Sequence, residues 1–205
     1  MVKRFNPWLV LSYVTPQPKF WERLHSRPNY WNYSEGHYAP LLDYLKERDE
    51  LSSVLDLACN EGYFLQNLSR WGRFSRMAGL DVSRNVVTRA QQRVAALEAY
   101  HFDLCHFFQE SPPLPEGLGC FDLCVLSDVL YYMAPFQISP YLYWDVMPLT
   151  WDLPRKRRVL EHCRRLTRKL LIVSAHQDLP SIRYLLETTP GMKLVLPGFY
   201  ALETT

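Results

Sequence analysis

The sequence predicts an α/β fold, an open sheet of parallel strands with helices packed on it. Three stretches carry that prediction. The first is Val54 to Phe64, VLDLACNEGYF, where an apolar run turns at Ala58 to Gly62 and Phe64, Leu65 and Leu68 follow at helical spacing. The second is Met77 to Ser83, MAGLDVS, a short apolar run whose acid, Asp81, comes 25 residues after Asp56. The third is Phe121 to Leu130, FDLCVLSDVL, again an apolar run ending near an acid. Asp56 stands inside its apolar run, and a carboxylate there is costly to bury unless something pairs with it. A strand, a small-residue turn and a helix start together let backbone approach a ligand closely.

Taken in order, residues 1–45 are dense in aromatics, with Trp8, Tyr13, Phe20, Trp21, Tyr30, Trp31, Tyr33 and Tyr38 among them. Pro7, Pro16, Pro18 and Pro28 break any long helix. So many large apolar groups predict a segment packed on the body, either as a cap over a site or as extra core. Ser34 and Glu35 open a predicted helix carrying Tyr38, Leu41, Leu42 and Leu45. After strand 54–57 come a helix over 63–71 and a strand over 77–81. Ser83 is predicted to cap a helix over 84–99, in which Val86, Val87, Ala90, Val94 and Leu97 repeat near 3.6. Tyr100 to Leu104 is the expected third strand, and 111–119 a Pro- and Gly-rich loop.

Strand 121–127 leads to Ser127 and Asp128; a helix cap and a substrate contact are both open for Asp128. Residues 134–154 lack periodicity and hold Phe136, Tyr141, Tyr143, Trp144 and Trp151, as a functional insertion or an oligomer interface would. A helix over 155–169 turns Val159, Leu160, Cys163 and Leu166 inward. Its outer face is expected to carry Arg155, Lys156, Arg157, Arg158, Arg164, Arg165, Arg168 and Lys169, a solvated face or a grip for phosphate. Strand 170–174 ends just before His176, better placed at a strand's carboxyl end than His25, His101, His106 or His162. One more helix and short strands at 193–196 and 199–202 complete the chain.

At 205 residues the chain is expected to form a single domain, residues 1–205. A net charge of +2 gives no argument for nucleic acid from the total alone. Five cysteines with no CxxC pair predict buried, reduced thiols and a cytoplasmic protein. No apolar run of membrane-spanning length or signal-peptide pattern stands in the sequence, and no metal-ligand set does either.

The three motifs in their order resemble the class I S-adenosylmethionine-dependent methyltransferases, over roughly residues 50–175. That resemblance implies the Rossmann-like methyltransferase fold, mostly parallel, with an antiparallel C-terminal edge and helices on both faces. It implies S-adenosylmethionine as cofactor and S-adenosylhomocysteine as its product. The family's first motif is acid-x-Gly-x-Gly-x-Gly, and here Ala58, Asn60 and Gly62 follow Asp56. Ala58 is small and Asn60 tolerates positive φ, so the turn can form. Asp81 is expected on the ribose hydroxyls, and Asp103 on the adenine amino group, with Gln109 or Glu110 as alternatives. Ser127 and Asp128 would border the transferred methyl group. SDVLYY in place of Asp/Asn-Pro-Pro-aromatic resembles the small-molecule branch, with O- or N-methylation expected. His176 and His37 are the candidate bases, then Tyr131 and Tyr132. A cap over residues 1–45 and the insertion 134–154 would enclose the acceptor, with Tyr33, His37, Tyr131 and His176 converging beside the cofactor. A homo-oligomer through the aromatic segments stays open. The rival readings are an RNA-directed enzyme using helix 155–169 and a non-catalytic methyltransferase-like subunit.

Overall fold

The computed structural model describes residues 17–30, 35–130, 132–133, 153–174 and 180–204. The expectations for Tyr33, Tyr131, His176 and nearly all of the 134–154 insertion lie outside those residues. The described strands are β1 (Ser53–Leu57), β2 (Arg76–Asp81), β3 (Glu98–His101), β4 (Phe121–Leu126), β5 (Thr167–Ser174), β6 (Lys193–Leu196) and β7 (Phe199–Glu203). They form one sheet in the order β3-β2-β1-β4-β5-β7-β6. Strands β1 to β5 pair in parallel, and β7 runs antiparallel to both β5 and β6. This is the Rossmann-like methyltransferase order with its antiparallel edge.

The central strands read as near-continuous apolar runs, broken by Asp56 in β1 and Asp122 in β4, because both faces are covered. Leu55, Leu57, Leu80, Cys124, Leu126, Leu171 and Val173 pack on one face with α5 (Leu153–Arg165) and α6 (Pro180–Glu187). Val54, Met77, Leu123, Val125, Leu170 and Ile172 face the other way, against α2 (Ala39–Lys46), α3 (Tyr63–Ser69) and α4 (Arg84–Arg93). A further helix, α1 (Gln17–Leu24), precedes them.

Several boundaries differ from the sequence expectation, each for a local reason. Glu35–Tyr38 is a 3-10 turn, and the helix proper starts at Ala39, with Pro40 in its first turn. Helix α4 stops at Arg93, not 99, and Ala96 takes a left-handed φ of 60°. The chain therefore enters β3 at Glu98, and Asp103 falls beyond the strand, at the cap of a 3-10 turn, Leu104–Phe108. Ser83 occupies the cap position of α4, but its hydroxyl makes no capping bond. The Glu22 carboxylate of α1 accepts the Arg84 N–H instead, at 2.9 Å.

The expected basic helix over 155–169 is shorter and less basic outside. Thr167 Oγ1 donates back to Cys163 O at 2.7 Å as α5 ends, and β5 has already begun at Thr167. Arg168 and Lys169 lie on that strand, at 3.1 and 3.5 Å from the Asp122 carboxylate. Lys156 is fully buried, and Arg158 donates to Phe108 O. Among the cysteines, Cys59, Cys124 and Cys163 are buried, Cys105 is half-buried and Cys120 exposed.

Candidate active site

Strand order reverses between β1, which leads on to β2 and β3, and β4, which leads on to β5. Ligands to open α/β sheets bind at the carboxyl ends of the strands beside such a reversal. A pocket of about 350 Å³ lies there. Asp56, Ala58 and Asn60 line it from the end of β1, and Asp81 and Val82 from the end of β2. Asp103, Leu104 and Cys105 follow β3, and Ser127, Asp128 and Val129 follow β4. Trp21, His25, His37, Tyr38, Tyr132 and Met133 complete the wall.

The turn after β1 is built on three left-handed residues, Ala58 (φ 68°), Asn60 (φ 48°) and Gly62 (φ 75°). These are the three places where the family motif has glycine. The N–H groups of Ala58 and Cys59 both donate to Leu80 O at 2.9 Å, tying the turn to β2. Gly62 lets α3 approach α4, since a Cβ there would lie 3.1 Å from the Ala90 Cβ as well as straining φ. Gly79 admits the turn against β2, because a Cβ there would meet the Cys59 Sγ at 2.7 Å.

Two buried carboxylates form the charged part of the pocket. Asp81 accepts the Asn60 N–H on one oxygen (3.0 Å) and the Ser83 N–H on the other (2.9 Å). Burial still pushes its pKa up to about 6, against these bonds. Burial, with the Asp81 charge added, pushes Asp56 further, to about 8. No lysine or arginine is among the described lining residues. Asp103 uses its carboxylate to accept the Cys105 N–H at 2.9 Å. The alternatives Gln109 and Glu110 are exposed and do not line the pocket.

Asp128 holds a left-handed φ of 52°. Its N–H donates to Ser174 Oγ at 2.7 Å, and Ser174 Oγ donates to Asp128 Oδ1 at 2.8 Å. Ser127 Oγ lies 3.3 Å from the same hydroxyl. Asp128 is thus fixed by the end of β5. A strained non-glycine residue beside a pocket is where function concentrates.

The pocket brings together the expected residues Asp56, Ala58, Asn60, Asp81, Asp103, Ser127, Asp128 and His37, while Gly62, the last left-handed residue of the turn, is not in its lining and packs against Ala90. His37 packs edge-on to Tyr38 at 4.8 Å. Sequence reasoning did not single out Ser174, and it placed His25 behind His176, which lies outside the described residues. His25 lines the pocket, whereas the His162 ring is engaged with Gln109 O and His101 with Val82 O. Nothing in the spacing signals that α1 folds back over the strand ends. The contacts show it: Trp21 meets Tyr132 edge-on at 5.2 Å, so the N-terminal helix spans the pocket mouth to the segment after β4. Among the described residues no His, Cys, Asp and Glu cluster suits a metal ion.

A family model described as a methyltransferase domain matches residues 55–169, more than half of the chain. No curated protein matches the sequence. Among solved structures, the chain is similar to the N-methyltransferase NodS from Bradyrhizobium japonicum WM9 in complex with S-adenosyl-L-homocysteine. The TM-score is 0.59 at 16% identity, covering 94% of this chain and 96% of that one. It is also similar to the sugar N-methyltransferase KedS8 from Streptoalloteichus sp. ATCC 53650, with TM-score 0.52, 17% identity, and 73% and 52% coverage. Streptomyces venezuelae DesVI matches with TM-score 0.48, 19% identity, and 72% and 52% coverage. The chain spans about half the length of KedS8 and DesVI. At such identities the likeness is one of fold.

Proposed function

Because the chain belongs to the methyltransferase domain family, we propose that it transfers a methyl group from S-adenosylmethionine to a small or medium-sized acceptor, on oxygen or nitrogen. The observation that carries this reading is the pair of buried carboxylates, Asp56 and Asp81, in a pocket without lysine or arginine among its described lining. Two acids held up by burial, Asp56 also by the Asp81 charge, favour a cationic ligand. The sulfonium and ammonium groups of S-adenosylmethionine are such cations, so the donor set fits the cofactor.

Asp81, its two oxygens aimed by backbone N–H groups, would accept the ribose hydroxyls. Asp56 would give up its proton to face the ammonium, and the backbone of Ala58 to Gly62 would lie along the methionine part. Asp103 would accept from the adenine amino group. Bound S-adenosylmethionine supplies an already activated methyl group, so the chain mainly aligns the acceptor and excludes water. Ser127 and Asp128, fixed by Ser174, would border the acceptor. A base is needed only if the acceptor arrives protonated. His37 is the candidate within the described pocket; His176 and Tyr131 keep that role as proposals.

The acceptor is proposed to have a flat or apolar body, which the aromatic wall of Trp21, Tyr38 and Tyr132 favours. NodS and KedS8 are N-methyltransferases by name, which makes an amine the first acceptor to assay. An RNA acceptor is disfavoured by topology. The C-terminal end of α5, with Arg164 and Arg165, adjoins the amino end of β5, at the sheet edge opposite the pocket. The left-handed backbone of the first turn argues against a non-binding subunit. No described helix is long and apolar enough to cross a membrane; we place the protein in the cytoplasm on its unpaired cysteines. A homo-oligomer through the aromatic segments remains a proposal tested by light scattering. Titration calorimetry with S-adenosylmethionine and S-adenosylhomocysteine tests the function: both bind, and absence of heat and of thermal shift with both overturns the reading.

A further inference from the structure

His25 lies one residue past α1, 6% exposed, in the pocket wall. Its ring stacks on Trp21 with centroids 5.9 Å apart and planes 22° from parallel. Among the described residues neither ring nitrogen has a hydrogen-bond partner. A neutral imidazole offers one donor and one acceptor. Buried polar groups are ordinarily paired, and an unpaired donor and acceptor on a pocket-lining ring point to a ligand.

The surroundings say which part of the ligand. The charged groups facing His25 are Glu61, Arg89 and Glu22. Glu61 belongs to the turn after β1 and Arg89 to α4, while Glu22 caps α4 and also acts on Asp81. His25 therefore stands beside the turn after β1 and α4, on the side of the pocket where Glu22 also acts on Asp81, whereas a base for the acceptor would be wanted beside Ser127 and Asp128. We propose that His25 hydrogen-bonds the ribose hydroxyls of the bound nucleoside, sharing them with Asp81. This rests on the cofactor reading above. Burial holds the imidazole pKa down to about 4, against the Glu61 charge, so the ring acts as a neutral donor and acceptor at neutral pH.

Binding to the full chain tests this with two probes, S-adenosylhomocysteine and 5′-methylthioadenosine, which keeps the nucleoside and lacks the amino-acid part. His25→Phe keeps the stacked ring and removes both nitrogens; His25→Gln keeps a donor and an acceptor. The expected result is that His25→Phe weakens both probes about tenfold while the melting temperature without ligand does not fall. His25→Gln should stay within about threefold of wild type. Unchanged affinity in His25→Phe overturns the inference, as does a loss confined to S-adenosylhomocysteine. An equal loss in both variants with a lower melting temperature assigns His25 a purely structural role and overturns it too. Wild-type protein that binds neither probe overturns the cofactor reading itself, a different failure.

Discussion

Asp56 and Asp81 are legible as single residues because each is an acid in an apolar run, a placement that burial makes expensive without a use. Their raised pKa values have a definite sign. A carboxylate held near 8 in the fold and near 4 when unfolded binds more protons in the fold between those values, so stability falls as pH rises from about 4 to about 8. Asp56→Asn removes that penalty. The variant should melt higher than wild type at pH 8, with the gap closing by pH 4–5; a gap that is constant with pH would count against a neutral Asp56. A cationic ligand favours the ionised acid, so cofactor binding should release protons, read by calorimetry in buffers of different ionisation enthalpy. Asp81 also holds the N–H groups of Asn60 and Ser83, so Asp81→Asn is a gentler probe than Asp81→Ala. Affinity for S-adenosylhomocysteine should drop about ten- to hundredfold, as befits a charge-assisted bond worth about 1.5–3 kcal/mol. Ser174 carries no signal in sequence, because its partner Asp128 is 46 residues away and meets it only through the β4–β5 pairing. Ser174→Ala should slow methyl transfer more than it weakens cofactor binding, measured by turnover against calorimetry.

Among the elements, strands were easier to read than helix ends. Residues 54–57, 77–81 and 121–126 are apolar apart from Asp56, Asp81 and Asp122, because both sheet faces are covered. Helix α4 ended early at a stretch, Val94 to Leu97, that keeps helical periodicity and holds neither glycine nor proline. Its stop depends on Ala96 in a left-handed conformation, which composition does not announce. The lost run at 166–169 has the same origin: Arg168 and Lys169 extend a basic series, yet Asp122 on β4 draws them into the strand. The attachment of α1 is a tertiary matter. Glu61, nearly fully buried, receives Arg89 at 3.0 Å, Arg93 at 3.4 Å and the Asn29 N–H at 2.6 Å. Arg89 donates in turn to His25 O. Removing the buried partner of such a cluster costs about 3 kcal/mol or more. Glu61→Ala should lower the melting temperature and speed hydrogen exchange in residues 17–30 more than in the β1–β4 sheet; uniform exchange would show that α1 is held otherwise.

For the whole molecule, the ordered motifs and the turn at Ala58, Asn60 and Gly62 were enough to anticipate the sheet and the end at which a site forms. They could not show what covers that end, since the cover is made by α1 contacts over 62–64 residues of sequence separation. The central claim is that the reversal between β1 and β4 holds S-adenosylmethionine against Asp56 and Asp81. A crystal structure of the full chain with S-adenosylhomocysteine tests it most directly. The predicted result is a ribose on Asp81, adenine beside Asp103, the amino group near Asp56 and the sulfur turned toward Ser127 and Asp128. Ligand bound elsewhere, or adenosine lying away from Asp81, would contradict it.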